Sequence, residues 1–323
     1  MKSLSGLIMT IFLAIISAQA QEACVTVRVT DESGEVVAGA AVDAGFSTWI
    51  QPGWGWGGGA PNIVRGFSDK SGLCLMKGKG NGGEVGIAAE KQGYYNSSGY
   101  SMDFTNLTGV IRKKWQPWNP TINVMLRRIG NPIPMYVRKI KLAVPDEGIP
   151  VGFDLLKADW VAPCGKGETS DLFFQLDREI GDDYSSYDAT LIVSFPNEGD
   201  GIQAVPVPQR GCSALRLPAA APEGGYASKL VRRMSQDPDG PAYCDLRADQ
   251  NYFFRVRAKK DANGRIASAL YGKIYGDFDR DFLDGDIGFT YYLNPAVNDR
   301  NTEFDPKRNL FGELTDAEEV REP

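Results

Sequence analysis

Five carboxylates crowd into ten residues at Asp277-Phe278-Asp279-Arg280-Asp281-Phe282-Leu283-Asp284-Gly285-Asp286. Oxygen ligands at alternate positions are what calcium takes, and Asp-x-Asp-x-Asp is how a calcium loop opens. The EF-hand spacing is not met, because its sixth position is Phe282 and its twelfth is Gly288 where Gly and Glu belong. The stretch reads either as a calcium loop of another kind, with Asp277, Asp279, Asp281, Asp284 and Asp286 as ligands, or as a solvated acidic turn joining two strands. Calcium is the one cofactor this composition invites, and none is required. Elsewhere Asp154, Asp159, Asp171 and Asp177 offer the makings of a glycosidase-like carboxylate pair, for which separation decides the chemistry. Lys166 between Gly165 and Gly167 lacks the Gly-x-x-x-x-Gly-Lys-Ser/Thr spacing of a phosphate loop.

The absence of histidine excludes more than any motif does. Without it there is no Ser-His-Asp triad, no Cys-His pair and no His-bearing zinc site. A net charge of −6 argues against nucleic acid and anionic membranes as partners, since both are bound through clustered Lys and Arg. Three tryptophans, Trp49, Trp54 and Trp56, punctuate a glycine-rich stretch from Ser47 to Pro61. Exposed, they form a stacking platform for sugar rings or a partner protein; folded down, they cover the end of a β-sandwich. Trp115-Gln116-Pro117-Trp118 is a second, stiffer aromatic segment read as packing.

Met1 to Ala20 has the form of a secretory signal: Lys2, an apolar run from Leu7 to Ile16, and Ala18-Gln19-Ala20 as a small-x-small site. Gln21-Glu22-Ala23 before Cys24 does not suit lipid attachment, so cleavage is expected before Gln21, giving a secreted or periplasmic protein. No second apolar run offers a membrane span. An exported chain with five cysteines is expected to carry disulfides. Cys24 with Cys74, and Cys212 with Cys244, are the pairings to test, although spacing alone does not fix them. No Cys-x-x-Cys points to redox work.

The remaining pattern is that of strands. In Cys24-Val25-Thr26-Val27-Arg28-Val29-Thr30 the valines share one face, the period of a half-buried strand. Asp31 to Gly34 supplies a turn. Further strands are read at Val36–Ala44, Phe67–Leu75, Val85–Tyr95 and Thr121–Leu126. Val29-Thr30-Asp31 with Gly34, Gly39-Ala40, Ser68-Asp69 with Gly72, Gly93-Tyr94 and the closing Val124-Met125-Leu126 resemble the carboxypeptidase regulatory-like, or transthyretin-like, domain of secreted proteins. That resemblance covers about a third of the chain and implies a β-sandwich accessory module without chemistry of its own.

The boundary is placed near Arg127 to Pro134, so that residues 21–128 form the first domain and 129–311 a larger antiparallel β-rich one. Tyr252–Ala258 turning through Asp261-Ala262-Asn263-Gly264 into Arg265–Ile274 is the clearest hairpin. Tyr226 to Met234 is read as one or two helical turns. The acidic tail, 312–323, is expected to fray. The chain as a whole reads as all-β and exported. It is expected to be a monomer or weak associator with a non-enzymatic binding or structural role at the cell envelope and a glycan or envelope protein as ligand. The alternative is a carboxylate-based carbohydrate-active enzyme with its site in the second domain.

Overall fold

The computed structural model describes residues 21–50, 57–104, 111, 113–181, 185–207 and 211–323. The described chain is almost entirely β, as the sequence pattern indicates. The first eight strands are β1 (Gln21–Asp31), β2 (Ala41–Ile50), β3 (Gly57–Phe67), β4 (Leu73–Gly80), β5 (Glu84–Glu90), β6 (Tyr94–Tyr95), β7 (Ser97–Asp103) and β8 (Thr121–Arg128). One sheet runs β4-β1-β8-β6, with β1 and β8 parallel. The facing sheet contains β7-β5-β2-β3.

The alternation read from the sequence is the packing rule. Val25, Val27 and Val29 of β1 meet Val42, Ala44 and Phe46 of β2 and Val85 and Ile87 of β5 in one core. Asp31 Oδ1 accepts from the backbone of Ser33 at 3.0 Å and Glu35 at 3.1 Å, and Asp69 Oδ1 does the same for Ser71 and Leu73. These Asx turns end one strand and start the next. Gly72 is required at its turn because φ is +73° and a Cβ there would lie 2.7 Å from the Val29 carbonyl oxygen.

The second half continues with β9 (Ile133–Ala143), β10 (Val151–Asp154), β11 (Asp159–Trp160), β12 (Leu172–Ile180), β13 (Tyr187–Ser194), β14 (Gly201–Pro206), β15 (Cys212–Ser213), β16 (Lys229–Gln236), β17 (Tyr243–Cys244), β18 (Gln250–Lys260), β19 (Ile266–Tyr275), β20 (Asp286–Asn294) and β21 (Phe304–Asn309). Sheets β11-β10-β12-β13-β16-β17 and β14-β18-β19-β20-β9-β21 face each other. Between them Phe153, Trp160, Phe174, Phe278 and Phe289 form ring pairs with centroids 5.5 to 6.1 Å apart. The hairpin expected at Asp261–Gly264 joins β18 to β19, with Asp261 Oδ1 accepting from Asn263 and Arg265.

Two expectations are corrected, and the boundary between the halves acquires a detail. Tyr226 to Met234 is not helical: Lys229–Gln236 is β16, pairing with β13 so that Met234 sits opposite Ala189 in the core. Leu230, Arg232 and Met234 alternate, and burial at Met234 decides for the strand. The tail does not fray. Val320 packs on the outer face of the second sheet beside Tyr275 and Tyr292, and Glu318 pairs with Arg138 and accepts from the Lys139 amide. Its acidity is docking charge, because the face it crosses carries Arg138 and Arg216. The domain boundary, finally, is crossed by hydrogen bonds. β15, from the second half, adds to the edge of β7 through Cys212↔Ser98 and Ser213↔Ser97. The first sandwich is completed by a strand from the second.

A buried carboxylate fixes the junction. Glu303, 1% exposed, accepts from Tyr95 Oη at 2.8 Å, Gly130 N at 2.8 Å and Asn131 N at 2.6 Å. Nearby, Lys273 is fully enclosed, its Nζ donating to Tyr275 Oη at 2.9 Å and lying 4.4 and 4.6 Å from the Tyr275 and Tyr292 ring centroids. Burial pushes its pKa well below the usual lysine value, against the field of Glu303. No helix among the described residues is long and apolar enough to cross a membrane.

Candidate functional site

The outward face of the first sandwich's larger sheet is floored by residues with little or no side chain. Register places Gly45 of β2 beside Gly86 of β5, and Gly86 beside Ser101 of β7. Gly45 is flanked on its other side by Ile63 of β3. Because strand side chains alternate between faces, the apolar residues Ala44, Phe46, Val85 and Ile87 all point inward and the glycines leave the outer surface bare. A Cβ placed on Gly86 would meet nothing within 4 Å, and one on Gly45 would touch Pro61 at 3.5 Å. The result is a trough of about 430 Å³ lined by Pro61 and Ile63 on one side and by Gly99 and Ser101 of β7 on the other. Ile63 and, further along the same face, Phe67 are 64% and 67% exposed.

Charge at the rim is one-sided. Glu84, Glu90 and Asp103 are exposed on these strands. The one cation on the outward rows of β2, β3, β5 and β7, Arg65, is held by Asp43 at 2.6 Å and lies 3.6 Å from Glu90. The Arg65 contact in turn holds the Asp43 carboxyl below its ordinary pKa.

No family model matches the chain, and no curated protein matches it. The trough therefore stands on its own geometry. Sequence alone does not single the pair out: Gly45 falls just past the strand read at Val36–Ala44, and Gly86 reads as an ordinary position of the strand at Val85–Tyr95. The usable signal was their placement: a glycine at an outward position inside a strand weakens the strand unless something approaches closely.

The tryptophans read as a platform are only partly in view. Trp49 lies in β2 opposite Gly58, whereas Trp54 and Trp56 fall outside the described residues. Trp115 is core, donating Nε1–H to the Gly80 carbonyl at 3.0 Å and facing Phe104 at 6.1 Å.

The structure separates the proposed disulfide partners. Cys24 lies opposite Lys77, and Cys74 opposite Val27, on antiparallel neighbours. The three-residue offset puts them about 10 Å apart along the strands and on opposite faces, beyond the reach of a disulfide. Cys74 points to the core, while Cys24 Sγ sits 3.4 Å from Asn119 Oδ1 on the other side. Cys212 lies on the first sandwich and Cys244 at the edge of the second, and no disulfide joins them.

The acidic stretch does not converge either. Asp277 is taken up by Arg232 at 3.0 Å, by the Arg247 amide at 3.0 Å and by Tyr252 Oη. Asp281 pairs with Lys141 at 3.1 Å across a short 3₁₀ turn, Arg280–Leu283. Asp284 ends that turn, and Asp286 begins β20 opposite Ala143. Asp279 faces a cleft of about 540 Å³ beside Lys139 and Arg247, its pKa raised by burial and by Asp281. Among the described residues no group of three or more acidic or thiol side chains is placed to hold a metal. Melting curves recorded with millimolar calcium and with chelator are accordingly expected to coincide. A filled site at a hundred times its dissociation constant would add about 2.7 kcal/mol, so an upward shift with calcium would restore the ion-loop reading.

Of the four carboxylates considered for glycosidase chemistry, two meet. Arg257 Nε donates to Asp171 at 2.7 Å, and its Nη2 reaches Asp171 at 2.9 Å and Asp154 at 3.2 Å. Their pKa values diverge. Burial raises Asp171 despite Arg257. For Asp154, burial is outweighed by the amides of Glu168, Thr169 and Leu156 and by Arg257, which lower it. Divergent pairs are how acid and base are assigned in catalysis. Here, though, both carboxylates are buried and saturated with donors. Arg257 occupies a bulge of β18 at φ +55°, a strained conformation kept by the two carboxylates it bridges. The cluster staples the 155–170 loop to the sheet. Asp159 serves the same loop through the Trp160 and Lys166 amides, and Asp177 is held by Gln175 on β12.

Proposed function

We propose that this is an exported, non-enzymatic binding protein of the cell envelope, holding a glycan or protein ligand across the outer face of its first sandwich. The glycine-floored trough carries the reading, because interior strand glycines cost stability and are kept where another molecule approaches. Its exposed flanks, Ile63 and Phe67, add apolar area of the kind that marks interaction surfaces. Export is supported by the signal-like Met1–Ala20 segment, and the accessory character by the resemblance of residues 24–127 to regulatory modules. The sealed state of Asp154 and Asp171 weighs against the carbohydrate-active enzyme.

The decisive variant is Gly86→Tyr, which fills the trough where a new side chain meets open space. Tyrosine also suits a strand better than glycine, so the melting temperature is expected to hold or rise. Wild-type protein and variant would be passed over immobilised polysaccharides and peptides. Retention lost in the variant supports the trough. Equal retention by both, or release of reducing sugar from an offered polysaccharide, overturns it.

A further inference from the structure

We infer that the trough takes an extended, lysine- or arginine-bearing peptide segment of a partner protein; the inference rests on the binding role proposed above and names its ligand. Width comes first. From β3 to β7 is three strand spacings, about 14 Å, wider than the ~5 Å that one extended backbone occupies side to side. One extended chain fits between the walls. The floor strands β2 and β5 are paired on both sides, so the ligand does not extend the sheet by backbone pairing. It lies across the sheet face, with alternate side chains directed down. Aliphatic side chains fill the bare space over Gly45 and Gly86.

Charge then selects the class. Glu84, Glu90 and Asp103 have no cation on these rows beyond Arg65, and Arg65 is already neutralised by Asp43. Lysines at intervening positions of the ligand carry apolar stems along the walls and place their ammonium groups at the acidic rim. A neutral sugar chain would leave Glu84 and Asp103 facing only water. It would also find no exposed aromatic plane on the floor, which is glycine and alanine.

The probe is a fluorescent peptide of about eight residues, or ~27 Å extended, alternating lysine and valine. Its glutamate–valine counterpart and a neutral linear hexasaccharide run beside it. Anisotropy is expected to show binding of the lysine peptide at low ionic strength, weakening as salt screens the rim. Gly86→Tyr is expected to weaken it at least about tenfold. The double variant Glu84→Gln/Glu90→Gln is expected to flatten the salt dependence while leaving the trough open. No binding of the lysine peptide, or equal binding of the glutamate peptide, overturns the inference. If the hexasaccharide binds instead and Gly86→Tyr abolishes that binding, the trough stands as a site and the peptide assignment falls. Equal binding of the lysine peptide to wild type and Gly86→Tyr overturns both.

Discussion

Replacing Glu303 by alanine is expected to lower stability by about 3–5 kcal/mol and to split one unfolding transition into two. The carboxylate accepts from Tyr95 of the first sandwich and from the Gly130 and Asn131 amides of the connection. Leaving a buried donor without a partner costs about 1–3 kcal/mol each. The variant also removes the strongest favourable charge acting on Lys273, already burdened by complete burial. Because the contacts span the junction, their loss lets each sandwich melt by itself, and a two-state fit ceases to apply. Calorimetry reads both effects. Glu303→Gln should recover part of the loss. Its oxygen can still serve Tyr95 and Gly130, while its amide nitrogen opposes the Asn131 N–H that Oε2 accepts at 2.6 Å. A single unshifted transition in Glu303→Ala would show that the junction is held by other contacts.

Phe174→Ala is expected to cost a similar amount, about 3–5 kcal/mol, with the lost contacts all in the second sandwich. Phe174 on β12 is fully buried and meets Phe153, Trp160, Phe278 and Phe289, so it bridges both sheets of that core. Truncation leaves a void that rings held on two sheets cannot close. Phe174→Leu should lose less, because most of the volume remains. Urea titration followed by tryptophan fluorescence separates the outcomes: Trp160 reports the second core and Trp115 the first. With the Glu303 junction intact both signals are expected to move together to lower urea; loss of the Trp160 signal well ahead of Trp115 would mean that the junction does not couple the halves.

Strands were readable wherever alternation met a one-sided core. Val25, Val27 and Val29 announced β1, and Asp261 to Gly264 announced the β18–β19 hairpin. Lys229–Gln236 was misread because a half-exposed strand with two arginines carries almost no hydrophobic period. The tail was misread because acidic composition says nothing of the basic face waiting for it, across Arg138 and Arg216. Cysteine pairing failed on register: a three-residue offset between β1 and β4, which no spacing reveals, turns Cys24 and Cys74 to opposite faces. Of the candidate site, Gly45 and Gly86 become a floor only once β2 and β5 are in register. The convergence of Asp154 and Asp171 on Arg257 was likewise invisible, since it depends on a bulge that redirects one side chain of β18.

The strand that the second half lends to the first has a consequence in time. A chain emerges N-terminus first, from the ribosome or from a translocation channel. The edge of β7 at Ser97 and Ser98 must therefore wait about a hundred residues for Cys212 and Ser213 to arrive. At the usual 5–20 residues per second that wait lasts roughly 5–20 s. Once β8 has emerged, the first sandwich has a finished core and an open edge for the rest of that wait, the state most prone to pairing with another chain. Nascent chains halted short of residue 212 should accordingly crosslink to one another or to a chaperone through β7, and chains released past it should not.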